Sequence, residues 1–232
     1  MQTALTREEK IKLALIKKNR LALAAQQDPV LFIDSFFWTF DPRLPDPKIR
    51  FKLFDYQKSL VQEIQAAVAG KYDIFIDKSR DTGASYTTLA TCLWFWKNVP
   101  GSNILLGSRK QDFVDNRFGG LDTKGSEAKS NKEESLFGKL DFMLRYLPAN
   151  LLPKGFDFAK HNGAMRIVNP ENGNVISGES SNPNFSRGGR YKIVVLDEFA
   201  FWDNDVAAWG STADTTDVRI VITTPGIKPG KA

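Results

Sequence analysis

The chain begins with an apolar spacing of four, at Ile11, Leu15 and Ile16, followed by Leu21 and Leu23, between charged residues. This predicts a helix over 5–25 with a rough apolar face, opened by a Thr6/Glu9 capping box. A nearly continuous apolar run, VLFIDSFFW (30–38), leads into the proline-rich connector DPRLPDPK. Helical spacing resumes near Asp55 and runs to about Ala69, with Gly70 as its stop. The pattern then changes. YDIFID (72–77), ILLG (104–107), KIVVLDE (192–198) and VRIVITT (218–224) are short apolar runs that read as buried strands. Helical segments over 84–98 and 136–147 lie between them. MRIV (165–168) and NVIS (174–177) flank Pro170 and Gly173 and predict a hairpin. Buried strands alternating with helices imply an α/β fold, a mostly parallel central sheet flanked by helices. The expected organisation is an N-terminal helical and extended segment, 1–50, packing on a core, 51–232. Residues 119–135 form a polar, Gly/Ser-rich loop with three lysines against four acids, a surface loop with no standing basic patch.

Composition narrows the chemistry. One cysteine (Cys92) and one histidine (His161) exclude an internal disulfide and any Cys- or His-rich metal cluster. A metal here must take oxygen ligands, which suits Mg²⁺. The 32 basic and 27 acidic residues leave a net +5, compatible with nucleic acid and too mild to argue for it. No apolar run approaches the roughly 18 residues of a membrane span, and the charged TREEKIK start is unlike a signal peptide.

Four short segments carry candidate chemistry. DKSRDTGASYTT follows a strand and opens a helix, where backbone N–H groups converge on an anion. Read against G-x-x-x-x-G-K-[ST], Gly83 holds the second glycine position and Ser85 the hydroxyl position. Ala84 stands where the lysine belongs, and Lys78 where the first glycine does. The cation must then come from elsewhere, and Lys78 and Arg80 in the same loop are the candidates. The loop as a whole, Lys78, Ser79, Arg80, Asp81, Thr82, Gly83, Ala84, Ser85 and Tyr86, is the candidate phosphate-binding segment. In KIVVLDEFAFW, Asp197 and Glu198 end a buried strand, the end that faces the ligand crevice of an open α/β sheet. Asp197 there suits Mg²⁺, together with Ser85, and Glu198 suits polarisation of an attacking water. Thr223 and Thr224 end another buried strand, where small hydroxyls can bond the carboxylate pair and couple it to phosphate occupancy, before Pro225 stops the run. Gln57 opens the helix ahead of the phosphate loop, and its amide could read an adenine edge.

Taken together, WTFDPR, LFDYQ, KSRDTGAS, VVLDE and TTP resemble the ATPase domain of the large terminase subunit of tailed bacteriophages, from about Phe36 to Pro225. Such terminases often carry a basic residue early in the phosphate loop instead of a lysine after its last glycine, as Lys78 and Arg80 do. The resemblance implies a P-loop NTPase of the additional-strand, conserved-glutamate type. It also implies ATP and Mg²⁺ as cofactors, and hydrolysis that drives double-stranded DNA into a procapsid in the cytoplasm of the infected bacterial host. The implied partners are the portal protein, a small terminase subunit and further copies in a ring, usually pentameric, with a monomer in isolation. An arginine of one subunit can complete a neighbour's site in such motors, and Arg187, Arg190, Arg109 and Arg145 are the candidates. Family members also carry a C-terminal nuclease domain. This chain has no later acidic cluster for nuclease metals and reads as the motor domain alone.

Two other readings share these motifs. A superfamily 2 helicase-like ATPase also has the Gln, the DE pair and a hydroxyl motif, but needs a second RecA-like domain and usually keeps GK[ST]. A non-hydrolysing, nucleotide-gated DNA-binding module would follow if Ala84 had removed activity, but such a module has no use for Glu198.

Overall fold

The computed structural model describes residues 6–118 and 132–224. The first part of the polar loop at 119–135, Pro225, and the Glu9 side chain of the expected capping box lie outside the described structure. In chain order the helices are α1 (Arg7–Ala25), α2 (Pro29–Phe36), α3 (Asp55–Gly70), α4 (Ala84–Asn98), α5 (Gln111–Val114), α6 (Leu136–Arg145), α7 (Phe158–His161) and α8 (Asp205–Thr212). The strands are β1 (Trp38–Phe40), β2 (Lys48–Arg50), β3 (Ile74–Asp77), β4 (Ile104–Ser108), β5 (Asn162–Gly163), β6 (Arg166–Val168), β7 (Val175–Ser180), β8 (Ile193–Asp197) and β9 (Arg219–Thr223).

Seven strands form one sheet in the order β3-β9-β8-β4-β7-β6-β5. The five from β3 to β7 are parallel, and the expected hairpin adds β6 and then β5 antiparallel at one edge. The last strand in sequence, β9, is therefore inserted between the strand that leads into the phosphate loop and the strand that ends in Asp197. In register, Asp77 lies beside Thr223 and Asp197 beside Ile222, so the three strand ends are level. That alignment gathers the chemistry at one end of the sheet.

The strands are apolar on both faces because both faces are covered. Ile104, Leu106, Ile193, Val195, Ile220 and Ile222 point into a large core shared with α2, α3, α4 and α6. Their neighbours Leu105, Val194, Leu196 and Val221 pack a smaller core with Phe185, Trp202 and Ala208. Helix α4 is the central strut, buried nearly throughout from Thr87 to Trp96. Its C-terminal carbonyls, which no helix can satisfy internally, are taken by side-chain amides from the β6–β7 connection. Asn169, Asn172 and Asn174 all donate to the Trp96 carbonyl, and Asn174 also reaches that of Val99 at 2.8 Å. The Trp96 indole returns a bond to the Asn174 carbonyl at 3.1 Å.

Three expectations change. Ile11, Leu15, Ile16, Leu21 and Leu23 are exposed, and among the described side chains of α1 only Ala22 and Ala25 are buried. Their irregular spacing scatters them around the helix, so they make no stripe to bury. The helix α3 runs through Gly70, and Lys71 takes the left-handed turn that ends it, at φ 57°. The proline-rich connector joins the two strands of a short antiparallel ribbon, β1 with β2, that period-two alternation does not announce.

Close approach of α6 to the sheet depends on Gly178 in β7. A Cβ there would lie 2.6 Å from Phe137 of α6, 2.7 Å from Val114 and 2.9 Å from the Met165 sulfur. Gly178→Ala is therefore expected to destabilise the fold by about 1–3 kcal/mol, the usual cost of forcing a methyl into a filled core. A lowered urea midpoint with an unchanged denaturant slope checks this.

Candidate active site

The loop from Lys78 to Gly83 is shaped by its backbone. The Lys78 N–H donates to the Thr223 carbonyl at 3.0 Å, one residue beyond the β3–β9 ladder. The chain then reverses through two left-handed residues, Asp81 at φ 64° and Gly83 at φ 71°. The Thr82 hydroxyl closes the turn on the Ser79 carbonyl at 3.3 Å. Gly83 caps α4 without a side chain, so no side-chain oxygen covers the first N–H groups of that helix. Those groups, backed by the helix dipole, have the chemistry to hold an anion.

Gln57 secures this loop to α3. Its amide donates to the Thr82 carbonyl at 3.0 Å and accepts from the Phe54 N–H at 3.0 Å, and the residue is 4% exposed. The Tyr56 hydroxyl donates to the same Thr82 carbonyl. A Cβ on Gly83 would meet the Gln57 amide nitrogen at 2.7 Å, so that position must be glycine for contact as well as for φ. The amide expected to read an adenine edge is thus engaged with backbone on both sides, and reading a base would require these bonds to be exchanged. Tyr86 also turns inward, its hydroxyl accepting from the Phe40 N–H at 3.3 Å, and burial raises its pKa. Asp81 instead pairs with Arg43 of the β1–β2 connector at 3.1 Å, on the surface.

At the end of β8, the Asp197 carboxylate accepts from the Ser85 hydroxyl at 3.0 Å. Its backbone carbonyl accepts from the Trp202 indole at 2.9 Å. Burial raises the Asp197 pKa, opposed by the Ser85 bond and by the positive charges of Lys78 and Lys139, while Glu198 pushes it further up. The next residue, Glu198, is held left-handed at φ 55°. For a residue with a side chain this costs on the order of 1–3 kcal/mol, and such strain concentrates at functional positions. The turn brings its carboxylate to 3.6 Å from the Lys78 ammonium. The Thr223 hydroxyl accepts from the Ala200 N–H at 3.3 Å, two residues past Glu198, and donates to the Thr224 carbonyl at 3.4 Å. One strand end therefore touches both the phosphate loop and the turn that carries Glu198.

Lys78, Arg80, Ser85, Arg109, Asp197 and Glu198 line a single open cleft of about 440 Å³, and Gln57 and Thr223 lie outside its lining. Ser79 lies on the loop's exposed side. Of the four arginines singled out in the sequence, only Arg109 lines this cleft, with its guanidinium over Phe113 at 4.7 Å. Arg145 is paired with Asp141 at 2.6 Å and lines another cavity. Arg187 and Arg190 line a third, beside α8, where Arg190 donates to the Asp214 carbonyl.

Two residues of the cleft have no motif to reveal them. The Ser108 hydroxyl, at the end of β4, is buried there with no hydrogen-bond partner among the described residues. Lys139 enters from α6, more than fifty residues beyond the loop, half-buried, its ammonium donating to the Glu134 carbonyl. Burial lowers its pKa, while Asp197 and Glu134 act to raise it. In the sequence it is one lysine in the helical run LFGKLDFMLR, where a polar residue reads as the solvent face.

No protein-family model matches this sequence, and no curated protein does. Among solved structures the chain is similar to the large terminase of bacteriophage HK97, with a TM-score of 0.57 and 14% identity. That likeness covers 85% of this chain, which spans 37% of the HK97 chain. The large terminase ATPase domain of Thermus phage P74-26 is also similar, with a TM-score of 0.48 and 18% identity over 77% of this chain and 68% of that one. Among the described residues no helix is long and apolar enough to cross a membrane. The likeness to the HK97 protein bears on the fold, and it agrees with the strand order: this chain is an α/β domain of the P-loop type, with β9 as the additional strand between β3, which leads into the Lys78–Gly83 loop, and β8, which ends in Asp197.

Proposed function

We propose that this chain is a Mg²⁺-dependent ATPase, the motor domain of a large terminase that drives double-stranded DNA into a viral procapsid. The observation that carries the ATPase reading is the meeting of two pairs, Ser85 with Asp197 and Lys78 with Glu198, in one cleft at the bare N-terminus of α4. The DNA-packaging part rests on the fold shared with the HK97 large terminase and on the sequence motifs. With it come the portal, the small subunit and a ring of copies in which a neighbour's arginine completes each site.

The residues fit the group they would hold. Ser85 and Asp197 present a hydroxyl and a carboxylate, oxygen donors only, 3.0 Å apart. No cluster of three or more His, Cys, Asp or Glu side chains that could cage a metal exists among the described residues. A metal held here would complete its shell with phosphate oxygens and water, the habit of Mg²⁺ rather than of zinc. When bound, Mg²⁺-ATP supplies the phosphoryl group and offsets the charge that develops on it. Glu198 orients the attacking water and takes its proton. Lys78, which faces Glu198 at 3.6 Å, holds that carboxylate in place. Thr223 ties the position of the turn after Glu198 to the end of β9, next to the phosphate loop.

The test is ATP turnover by the purified chain with and without duplex DNA, followed by displacement of a triplex-forming strand from that duplex. DNA-stimulated turnover with displacement supports the motor. Strand separation on a forked duplex would point to a helicase, and nucleotide binding without turnover to a gated module.

Two variants divide the carboxylate roles. Glu198→Gln keeps the shape of the side chain but cannot accept a proton, so turnover is expected to fall at least about 100-fold while affinity for a non-hydrolysable ATP analogue is retained. Asp197 has a stability signature of its own. Its folded-state pKa is raised chiefly by burial, so the ionised carboxylate destabilises the empty fold above that pKa. Asp197→Asn removes the penalty while leaving an acceptor for Ser85. At pH 7, without metal or nucleotide, the variant is expected to be more stable by about 1 kcal/mol, the size common when a site is relieved of a functional burden. The gain vanishes below about pH 4, where the unfolded carboxyl is protonated too. Calorimetric melting of both proteins at the two pH values checks this, and loss of Mg²⁺-dependent nucleotide binding in Asp197→Asn checks the metal role.

A further inference from the structure

We infer that Lys139 of α6 is the cation that meets the nucleotide phosphates in this cleft, in the place of the lysine that Ala84 lacks. The inference rests on the ATPase reading and names a residue that no part of the phosphate-loop pattern contains.

Three observations converge. Ala84, the residue after the loop's last glycine, is 7% exposed and has no charge to offer. Of the two cations within the loop, which also line the cleft, Lys78 faces a carboxylate, Glu198, at 3.6 Å, and Arg80 is exposed. Lys139 lines the same cleft as Ser85 and Asp197, and its ammonium is bonded to a neutral acceptor, the Glu134 carbonyl. Its hydrogen bond is therefore to a carbonyl and not to a carboxylate, while the charges of Asp197 and Glu134 also act on it. The ammonium also lies 5.7 Å from the centre of the Tyr86 ring, on the first turn of α4, next to Ser85. That places the charge beside the start of the helix whose first N–H groups no side chain caps.

The element that carries Lys139 is suited to hold a charge still. Helix α6 is capped by Ser135, which accepts from the Gly138 N–H at 3.0 Å. Phe137, Leu140, Met143 and Leu144 bury it in the main core. The lysine stem is half-buried, so its reach is restricted to the cleft, where a charge is screened less than in open water. A lysine on a packed helix and a lysine in the loop are different solutions to one requirement, a cation opposite the phosphates.

The test uses the whole chain and a fluorescent, non-hydrolysable ATP analogue with Mg²⁺. Lys139→Met keeps the apolar stem and is expected to weaken binding at least about 10-fold, as loss of a charge-assisted hydrogen bond does. Lys139→Arg should stay within about threefold of the wild type, and Lys78→Met should weaken binding less than Lys139→Met. Should Lys139→Met fail to fold, the wild type still answers. Acylation of lysines followed by mass spectrometry is expected to show Lys139 protected by the ATP analogue. Unchanged affinity in a folded Lys139→Met protein, or acylation of Lys139 at the same rate with and without the analogue, overturns the assignment. A wild-type chain that binds no analogue overturns the ATPase reading, and this inference with it.

Discussion

The bond between the Ser85 hydroxyl and the Asp197 carboxylate joins two halves of the molecule that are 112 positions apart in sequence. One half is the loop and helix after β3, the other the turn after β8. Neither works alone: the helix start offers donors without a metal ligand, and the strand end offers carboxylates without an anion site. The insertion of β9 between their strands sets their separation, and level registers at Asp77–Thr223 and Asp197–Ile222 keep the three ends abreast. The rest of the sheet serves this alignment.

The cleft is assembled at a cost that the core meets elsewhere. A carboxylate is buried at Asp197, and Glu198 is held left-handed next to it. Both are unfavourable in the empty protein. Lys78 and Lys139 offset part of the burial electrostatically, and Trp202 fixes the backbone at Asp197 through its indole. Rigid surroundings let such strain persist: β4 and β8 are buried along their whole length, and Trp202 is fully enclosed. The arrangement is one in which a bound cation would relieve a repulsion already present.

Much of this was legible in the chain. Continuous apolar runs gave β3, β4, β8 and β9, because strands covered on both faces need no polar alternation. The Pro170–Gly173 punctuation gave the hairpin. Gly83, Ser85, Asp197 and Glu198 were legible because strand-to-loop chemistry is local, written in consecutive residues. What escaped is non-local. Lys139 reaches the cleft because Phe137, Leu140 and Met143 on the same helix are buried in the main core, and a helical pattern cannot say which neighbour its polar face will meet. The engagement of Gln57 with Phe54 and Thr82 depends on how α3 docks on the loop. Arg109 was distinguishable from Arg145, Arg187 and Arg190 only once β4 had placed it. The apolar residues of α1 are spaced irregularly and make no single face.

The amides gathered around the Trp96 carbonyl have a mechanical consequence. They clamp the far end of α4, the end opposite the phosphate loop, to the β6–β7 connection. A helix pinned at one end and packed along its length cannot slide as a piston. Force applied at its other end has two outlets: the loop between Lys78 and Gly83 flexes, or the load passes through Thr223 into β9. Because β9 is paired on both sides, load that reaches it is spread across the sheet, and the loop, not the helix or the strand, is where the structure can give.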